Sequence, residues 1–148
     1  MFKNVQISPS EAKNELSKME LTLEKFLKSM GDEIDNVTRV MDDPNEVFLR
    51  EQIHSISDRL NGILNDIVYL DRKIVAEGNL YLNEQGRYAI EPDTYLTSGN
   101  VCELLIRDDF DEVYVWTKTS IEHGGNGYYA VALGRDISIN GIRARVRR

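Results

Sequence analysis

The sequence predicts an α+β protein in which an antiparallel helical hairpin of coiled-coil type precedes a small all-β domain. Apolar residues recur every three or four positions through the first half of the chain, which is typical of amphipathic helices. Short β-prone runs separated by turn residues fill the second half, and the helical period ends at Glu77-Gly78. We therefore place the hairpin at residues 1–78 and the β domain at residues 79–148.

The first half predicts two helices, over about residues 9–42 and 44–77. Ser8-Pro9-Ser10-Glu11 and Asp43-Pro44-Asn45-Glu46 each place a capping residue directly before a proline, as at helix starts. Apolar spacings that average about 3.5 residues form the seam of a coiled coil, and a short break returns the second helix antiparallel. The seam comprises Ala12, Leu16, Met19, Leu23, Phe26, Met30, Ile34, Val37 and Met41, then Leu49, Ile53, Ile56, Leu60, Ile63, Ile67, Leu70 and Ile74.

The second half predicts six or seven short strands, which favours an SH3-like β-barrel or a rolled antiparallel sheet. In the strand that contains Tyr114 and Trp116, aromatic or charged residues alternate with Val and Thr. The glycine-rich turn at residues 123–127 joins this strand to the next one. Aromatic residues on both of these strands predict one buried face and one contact surface.

The second half also contains a set of short motifs at turn and core positions. They are Gly78-Asn79-Leu80, Gly86-Arg87-Tyr88, Leu96-Thr97-Ser98-Gly99, Ile121-Glu122-His123 and Gly127-Tyr128-Tyr129. Together they resemble a small uncharacterised domain family of short Gram-positive bacterial proteins, often encoded on phage or conjugative elements. The resemblance covers about residues 78–148. It implies a domain without assigned chemistry, so it transfers no functional residues to this chain.

The composition disfavours several classes of function. The net charge of -7 and the pI near 4.9 argue against broad binding to nucleic acid or anionic membranes, and they favour a protein partner. The single cysteine, Cys102, forms neither an intrachain disulfide nor a thiolate metal cluster. Because the chain lacks a secretory leader and any run of about 20 apolar residues, we expect a cytoplasmic protein without membrane contact.

No motif predicts catalysis, a metal or a cofactor. Glu122-His123 is the most enzyme-like pair, but neighbouring residues of a strand point to opposite faces. Cys102 lies in an apolar strand without an evident basic partner, and His54 is too distant in sequence to complete a zinc motif. Asp108-Asp109-Phe110-Asp111 lacks the ligand spacing of a calcium loop and predicts a turn.

The last strand carries a row of arginines that alternates with small apolar residues. Such a row grips phosphates or carboxylates, protects an edge strand, or pairs with acidic residues of the hairpin, and these alternatives stay open. Arginine and large aromatic residues are also frequent anchors of protein interfaces. The predicted partner-binding residues are Tyr114, Trp116, Arg143, Arg145, Arg147 and Arg148.

These observations predict a non-enzymatic protein–protein interaction module, with a homodimer through the helical hairpin as one mode of association. The family resemblance suggests a sharper version, a mobile-element-encoded inhibitor or modulator of a host system such as a defence nuclease, in the manner of an anti-CRISPR protein. The alternative is a nucleic-acid-binding accessory factor that uses the C-terminal arginine strand. An enzyme that uses Glu122 and His123 ranks last.

Overall fold

The fold comes from a computed structural model that describes residues 5–148 of the chain. It divides into two compact units, Met1–Arg72 and Lys73–Arg148, the first helical and the second built from strands. The predicted α+β class, with helices first and antiparallel strands after them, is confirmed. No helix within the described range is both long and apolar enough to cross a bilayer.

The helical unit contains α1 (Pro9–Ser17), α2 (Glu20–Met30), a single 3-10 turn (Asp32–Ile34) and α3 (Pro44–Asp71). Both predicted helix starts are confirmed. Ser8 Oγ accepts the Glu11 N–H, and the Glu11 carboxylate accepts the Ser8 N–H at 2.7 Å, which completes a capping box. The Asp43 side chain accepts the Asn45 N–H at 2.9 Å and caps α3.

The prediction of one continuous first helix over residues 9–42 is wrong. Ser17 Oγ lies 3.1 Å from the Lys13 carbonyl, a side-chain bond that bends helices, and α1 ends there. Gly31 then adopts a φ of +80°, and the Asn36 N–H and side-chain amide donate to the Met30 and Ser29 carbonyls. These bonds satisfy the last carbonyls of α2, so the helix stops at Met30.

The second helix ends at Asp71 and not near residue 77. The residues that follow form strand β1, whose backbone groups pair with the last strand of the chain. The Lys73 N–H and carbonyl already bond to Arg148 at 3.2 and 3.0 Å. Pairing with a distant strand therefore overrides the helical period, and Ile74 lies in a strand rather than in the seam.

The finer prediction of a coiled-coil hairpin is not confirmed. Both α1 and α2 contact α3, and Leu23, Ile34 and Ile67 are buried among them. Other residues of the predicted seam stay exposed, however. They include Leu16, Met19, Met41, Leu49, Ile56, Ile63 and Leu70.

The strand unit contains two antiparallel sheets. The larger has the strand order β1-β8-β5-β6-β7 and the smaller the order β2-β3-β4. Among the described residues these sheets do not close into a barrel, so the SH3-like barrel is not confirmed. The strands are β1 (Ile74–Asn79), β2 (Tyr81–Leu82), β3 (Tyr88–Ile90), β4 (Thr94–Tyr95), β5 (Val101–Asp108), β6 (Val113–Gly124), β7 (Gly127–Ala130) and β8 (Arg143–Arg147).

One apolar core lies on a single side of the larger sheet. Leu104 and Ala144 are directly opposite each other on β5 and β8, and both are fully buried. Because side chains alternate along a strand, the residues next to them point to the opposite side. The core comprises Leu80, Tyr88, Ile90, Leu96, Cys102, Leu104, Ile121, Ala130, Ile139, Ala144 and Val146.

Candidate interaction face

The register of the larger sheet brings most of the predicted partner-binding residues onto one surface. Arg145 is opposite Glu77 on one side and Glu103 on the other, while Tyr114 is opposite Arg107 and Trp116 is opposite Leu105. Along each strand these positions alternate with residues on the side of Leu104 and Ala144, so they lie on the side of the sheet away from the core. We name this surface the outer face. It comprises Glu77, Glu103, Leu105, Arg107, Tyr114, Trp116, Lys118, Arg143, Arg145 and Arg147.

Glu103 is the centre of the outer face, although its residue type and position did not single it out in the sequence. It is only 6% exposed, which is rare for a carboxylate unless cations neutralise it. Arg145 donates from Nε and Nη2 to Glu103 Oε1 at 2.9 and 2.7 Å, and Arg147 Nε donates to Oε2 at 2.6 Å. Two guanidinium groups therefore hold one buried carboxylate.

Trp116 lies against this cluster. The Arg145 guanidinium carbon is 4.1 Å from the centre of the Trp116 ring, within the range of a cation–π contact. The indole is half-buried, whereas Tyr114, two residues earlier on β6, is 68% exposed. The outer face therefore presents one fixed aromatic ring beside one accessible ring.

Three of the four predicted arginines form ion pairs on the outer face, and the fourth, Arg148, lies elsewhere. Arg145 and Arg147 pair with Glu103, and Arg143 pairs with Glu77, so all three contact carboxylates of the same unit. Glu77 lies within residues 1–78, the range predicted for the hairpin, but it belongs to β1 rather than to a helix, and Glu103 belongs to β5.

Arg148 does not join the outer face. By the alternation along β8 it lies on the side of Ala144 and Val146. There it lines a polar cavity of about 490 Å³ together with Arg87, Asp93 and Asn100.

The β5–β6 hairpin adds exposed apolar side chains at its end. Phe110, in the turn between the two strands, is 93% exposed, and Val113 and Val115 on β6 are 48% and 40% exposed. The Asp108 side chain accepts the Phe110 N–H at 2.8 Å, which confirms the predicted turn. A phenylalanine within an acidic turn is the feature of the sequence that could have indicated this exposed tip.

The residues considered for catalysis are not assembled into a reactive pair. Glu122 is opposite Tyr129, while His123 points to the other side of β6. There the His123 and Tyr128 rings pack edge to face, with their centroids 4.8 Å apart. Burial, followed by the negative charge of Glu103, raises the pKa of the Cys102 thiol to about 12, so it stays protonated at neutral pH. In the described part of the chain, no three His, Cys, Asp or Glu side chains form a metal-binding group.

Residues 78–146 match the model of the family described as Domain of unknown function (DUF5348). The match begins in β1, ends in β8 and includes every strand between them. The predicted resemblance of the C-terminal half to a domain-of-unknown-function family is therefore confirmed. No curated protein and no solved structure matches the chain.

Proposed function

We propose that this protein is a non-enzymatic protein–protein interaction module and that the outer face is its contact surface. The observation that carries the proposal is the fixed arrangement of Trp116, Arg145 and Arg147 around Glu103, beside the exposed Tyr114. Trp, Tyr and Arg are the residues most enriched among the energetic anchors of protein interfaces.

Preorganisation supports this use of the outer face. A free arginine loses much side-chain entropy when a partner immobilises it, and this loss weakens binding. Arg145 and Arg147 are already held by Glu103, with side chains only 18% exposed. A partner that docks on the outer face therefore contacts rigid side chains, and less binding free energy is lost in ordering them.

The test is affinity capture from a lysate of the source organism, treated with nuclease, using the tagged chain and two variants. A Tyr114→Ala/Trp116→Ala double variant removes both aromatic side chains of the outer face. Phe48→Ala removes an exposed aromatic side chain of the helical unit and is the matched control.

We expect wild type and Phe48→Ala to retain the same protein and the double variant to lose it. With the purified partner, an anchor worth about 2 kcal/mol corresponds to a loss of affinity of about 30-fold for each aromatic residue. Equal capture by all three proteins would place the contact surface elsewhere.

A narrower form of the proposal is that the partner is an enzyme of a host defence system, such as a nuclease, which the module inhibits. The net charge of -7 suits a partner whose nucleic-acid groove is positively charged. If a nuclease is captured, adding the purified chain should lower its activity in proportion to binding. Unchanged cleavage at saturating chain would remove this form of the proposal.

The alternative function is nucleic-acid binding, which the row of three arginines on β8 favours. Each of these arginines already pairs with a carboxylate, so a phosphate must compete with Glu77 or Glu103. Fluorescence anisotropy with labelled single- and double-stranded oligonucleotides, over a range of salt concentrations, tests it. Affinity that falls steeply with salt and disappears in the Arg143/Arg145/Arg147→Ala variant would favour this function over the first.

A further inference from the structure

One edge of β6 carries no neighbouring strand. On one side β6 pairs with β5 over Val113–Ser120, while on the other side β7 pairs only with residues 121–124. The Ser120 carbonyl and the Thr119 hydroxyl accept the N–H groups of Val131 and Ala132, both at 3.0 Å. Val131 and Ala132 thus cover β6 at residues 119–120. Within the described chain, residues 113–117 have no strand on that side and form an open edge.

The direction of the backbone groups at the open edge follows from the flanking hydrogen bonds. The Ser120 carbonyl points to the β7 side, and the Ile121 N–H donates to Asn100 on the β5 side at 2.8 Å. Because successive residues of a strand direct their N–H and C=O groups to opposite sides, Tyr114 and Trp116 direct theirs to the open edge. Such groups pair readily with an added strand.

The open edge lacks the usual protection of an edge strand. Its residues are Val, Tyr, Val, Trp and Thr, all strand formers, without charge, proline or glycine. Tyr114 is the most exposed of them, with Val113 and Val115 also exposed. In the sequence, Glu112 directly precedes the edge and Lys118 directly follows it, and Glu112 lies 3.9 Å from Arg107 of the neighbouring strand in an exposed ion pair.

We propose that a second copy of the chain pairs with this edge, β6 against β6, in antiparallel orientation about a two-fold axis at Val115. In this register Tyr114 of each copy is opposite Trp116 of the other, and Val113 is opposite Thr117. Glu112, which has a φ of +56° and stands just before the strand, then lies beside Lys118 of the other copy, so opposite charges flank the paired segment. The two larger sheets become one continuous sheet.

Hydrogen-bond geometry excludes every register that is shifted by an odd number of residues from this one. Tyr114 and Trp116 both direct backbone groups to the edge, so they form hydrogen-bonded pairs, and Val115 forms the closer non-hydrogen-bonded pair with its own copy. A shift of two residues in either direction separates Glu112 from Lys118. The paired segment of β6 ends where Val131 and Ala132 cover the strand. In the dimer, the β5–β6 turn of one copy therefore lies next to Val131 and Ala132 of the other.

The two-fold axis stands perpendicular to the sheet, so both outer faces lie on the same side of the dimer. The aromatic rings of Tyr114 and Trp116 from the two copies then surround the axis. A pairing this short buries little surface, so we expect dissociation in the micromolar range. The inference stands on the edge alone and does not depend on what the outer face binds.

The test measures the mass of the full chain by sedimentation equilibrium over a wide range of concentrations, for wild type, Val115→Lys and Val115→Glu. Position 115 meets itself across the axis, so each variant places two like charges opposite each other. We expect wild type to dimerise, each variant to be monomeric, and an equimolar mixture of the two variants to dimerise again.

Two control variants locate the interface. Ile137→Lys places a charge at an exposed apolar position of the same unit, in the segment between β7 and β8, and should dimerise as wild type does. Ile56→Lys places a charge on the exposed helical stripe of α3. A dimer that survives Val115→Lys but is lost in Ile56→Lys would place the contact on the helices and overturn the proposal, as would a monomeric wild type or a mixture that stays monomeric.

Oxidative cross-linking tests the register even if a charged variant fails to fold. Val115→Cys should form a covalent dimer because the two thiols face each other in a close pair, whereas Val113→Cys faces Thr117 and should not. The native Cys102 is fully buried and should leave wild type uncross-linked. Equal cross-linking at positions 113 and 115, or none at 115, contradicts the register.

Discussion

The Arg145 guanidinium carbon lies 4.1 Å from the centre of the Trp116 ring, and the same guanidinium donates twice to one oxygen of Glu103. Arg145 thus links the aromatic and the charged parts of the outer face. The guanidinium is always charged, and its flat shape lets it stack on the indole while its edge binds the carboxylate. Because Arg145 contacts both Trp116 and Glu103, this arginine of β8 helps to hold the strand unit together.

Replacing Glu103 with Gln should destabilise the strand unit strongly. The substitution leaves Arg145 and Arg147, both largely buried, without their shared counter-charge. We expect the free energy of unfolding to fall by about 3 kcal/mol, measured by urea denaturation. Glu77→Gln breaks only the exposed pair with Arg143 and should lower it by less than about 1 kcal/mol. Equal effects of the two variants would contradict the central role of Glu103.

The fluorescence of Trp116 should report on Arg145 directly, because Trp116 is the only tryptophan of the chain. Arg145→Lys keeps the charge but loses the flat surface that covers the indole, so the emission should move to longer wavelength. Stability should fall by about 1 kcal/mol, the size of a partly exposed cation–π contact. Arg143→Lys, at a position without a ring contact, should leave the spectrum unchanged, and a matching shift there would argue against the stacking.

Glu20 and Asp71 predict a pH dependence of the helical unit. A hydrogen bond to Glu20, followed by bonds from Lys13 and Ser17, lowers the pKa of Asp71 to about 2, and the hydrogen bond to Asp71 raises the pKa of Glu20 above 4.5. The raised pKa means that the protonated Glu20 stabilises the fold below pH 4.5 and that this contribution is lost as pH rises through the folded pKa.

Glu20→Gln keeps a hydrogen-bond donor to Asp71 at every pH. The melting temperature of this variant should therefore equal that of wild type near pH 4 and exceed it increasingly as the pH rises to 7, measured by circular dichroism. Glu51→Gln, on the exposed surface of α3, should show no such trend. A constant difference across this range would contradict the shared proton.

Two glycines of the helical unit should respond oppositely to alanine. Gly62 lies inside α3 with open space where a Cβ would stand, so Gly62→Ala should raise the free energy of unfolding by about 1 kcal/mol. Gly31 has a φ of +80°, and a Cβ there would lie 2.9 Å from the Asn36 side chain. Gly31→Ala should lower stability by about 1–3 kcal/mol in urea denaturation. Stabilisation by both variants would place the end of α2 elsewhere.

The elements that the sequence predicts well are those whose cause is local. The capping box at Ser8 and the Asp43 cap depend on residues within one helical turn, and the alternation around Trp116 depends on neighbours within one strand. The helical period misplaces the end of the second helix because β1 exists only through its pairing with β8, some seventy residues later. The helical period alone carries no information about that partner.

The sequence by itself determined the α+β class, the helix starts, the strand alternation and five of the ten residues on the outer face. Only the tertiary structure decided that Glu103 is buried beneath Arg145 and Arg147, that Arg148 lies on the other side, and that one edge of β6 is open. The physical reason is that turns, caps and side-chain alternation arise from neighbouring residues. Charge pairing and strand edges arise from segments about forty residues apart, whose register is set by packing of the common core.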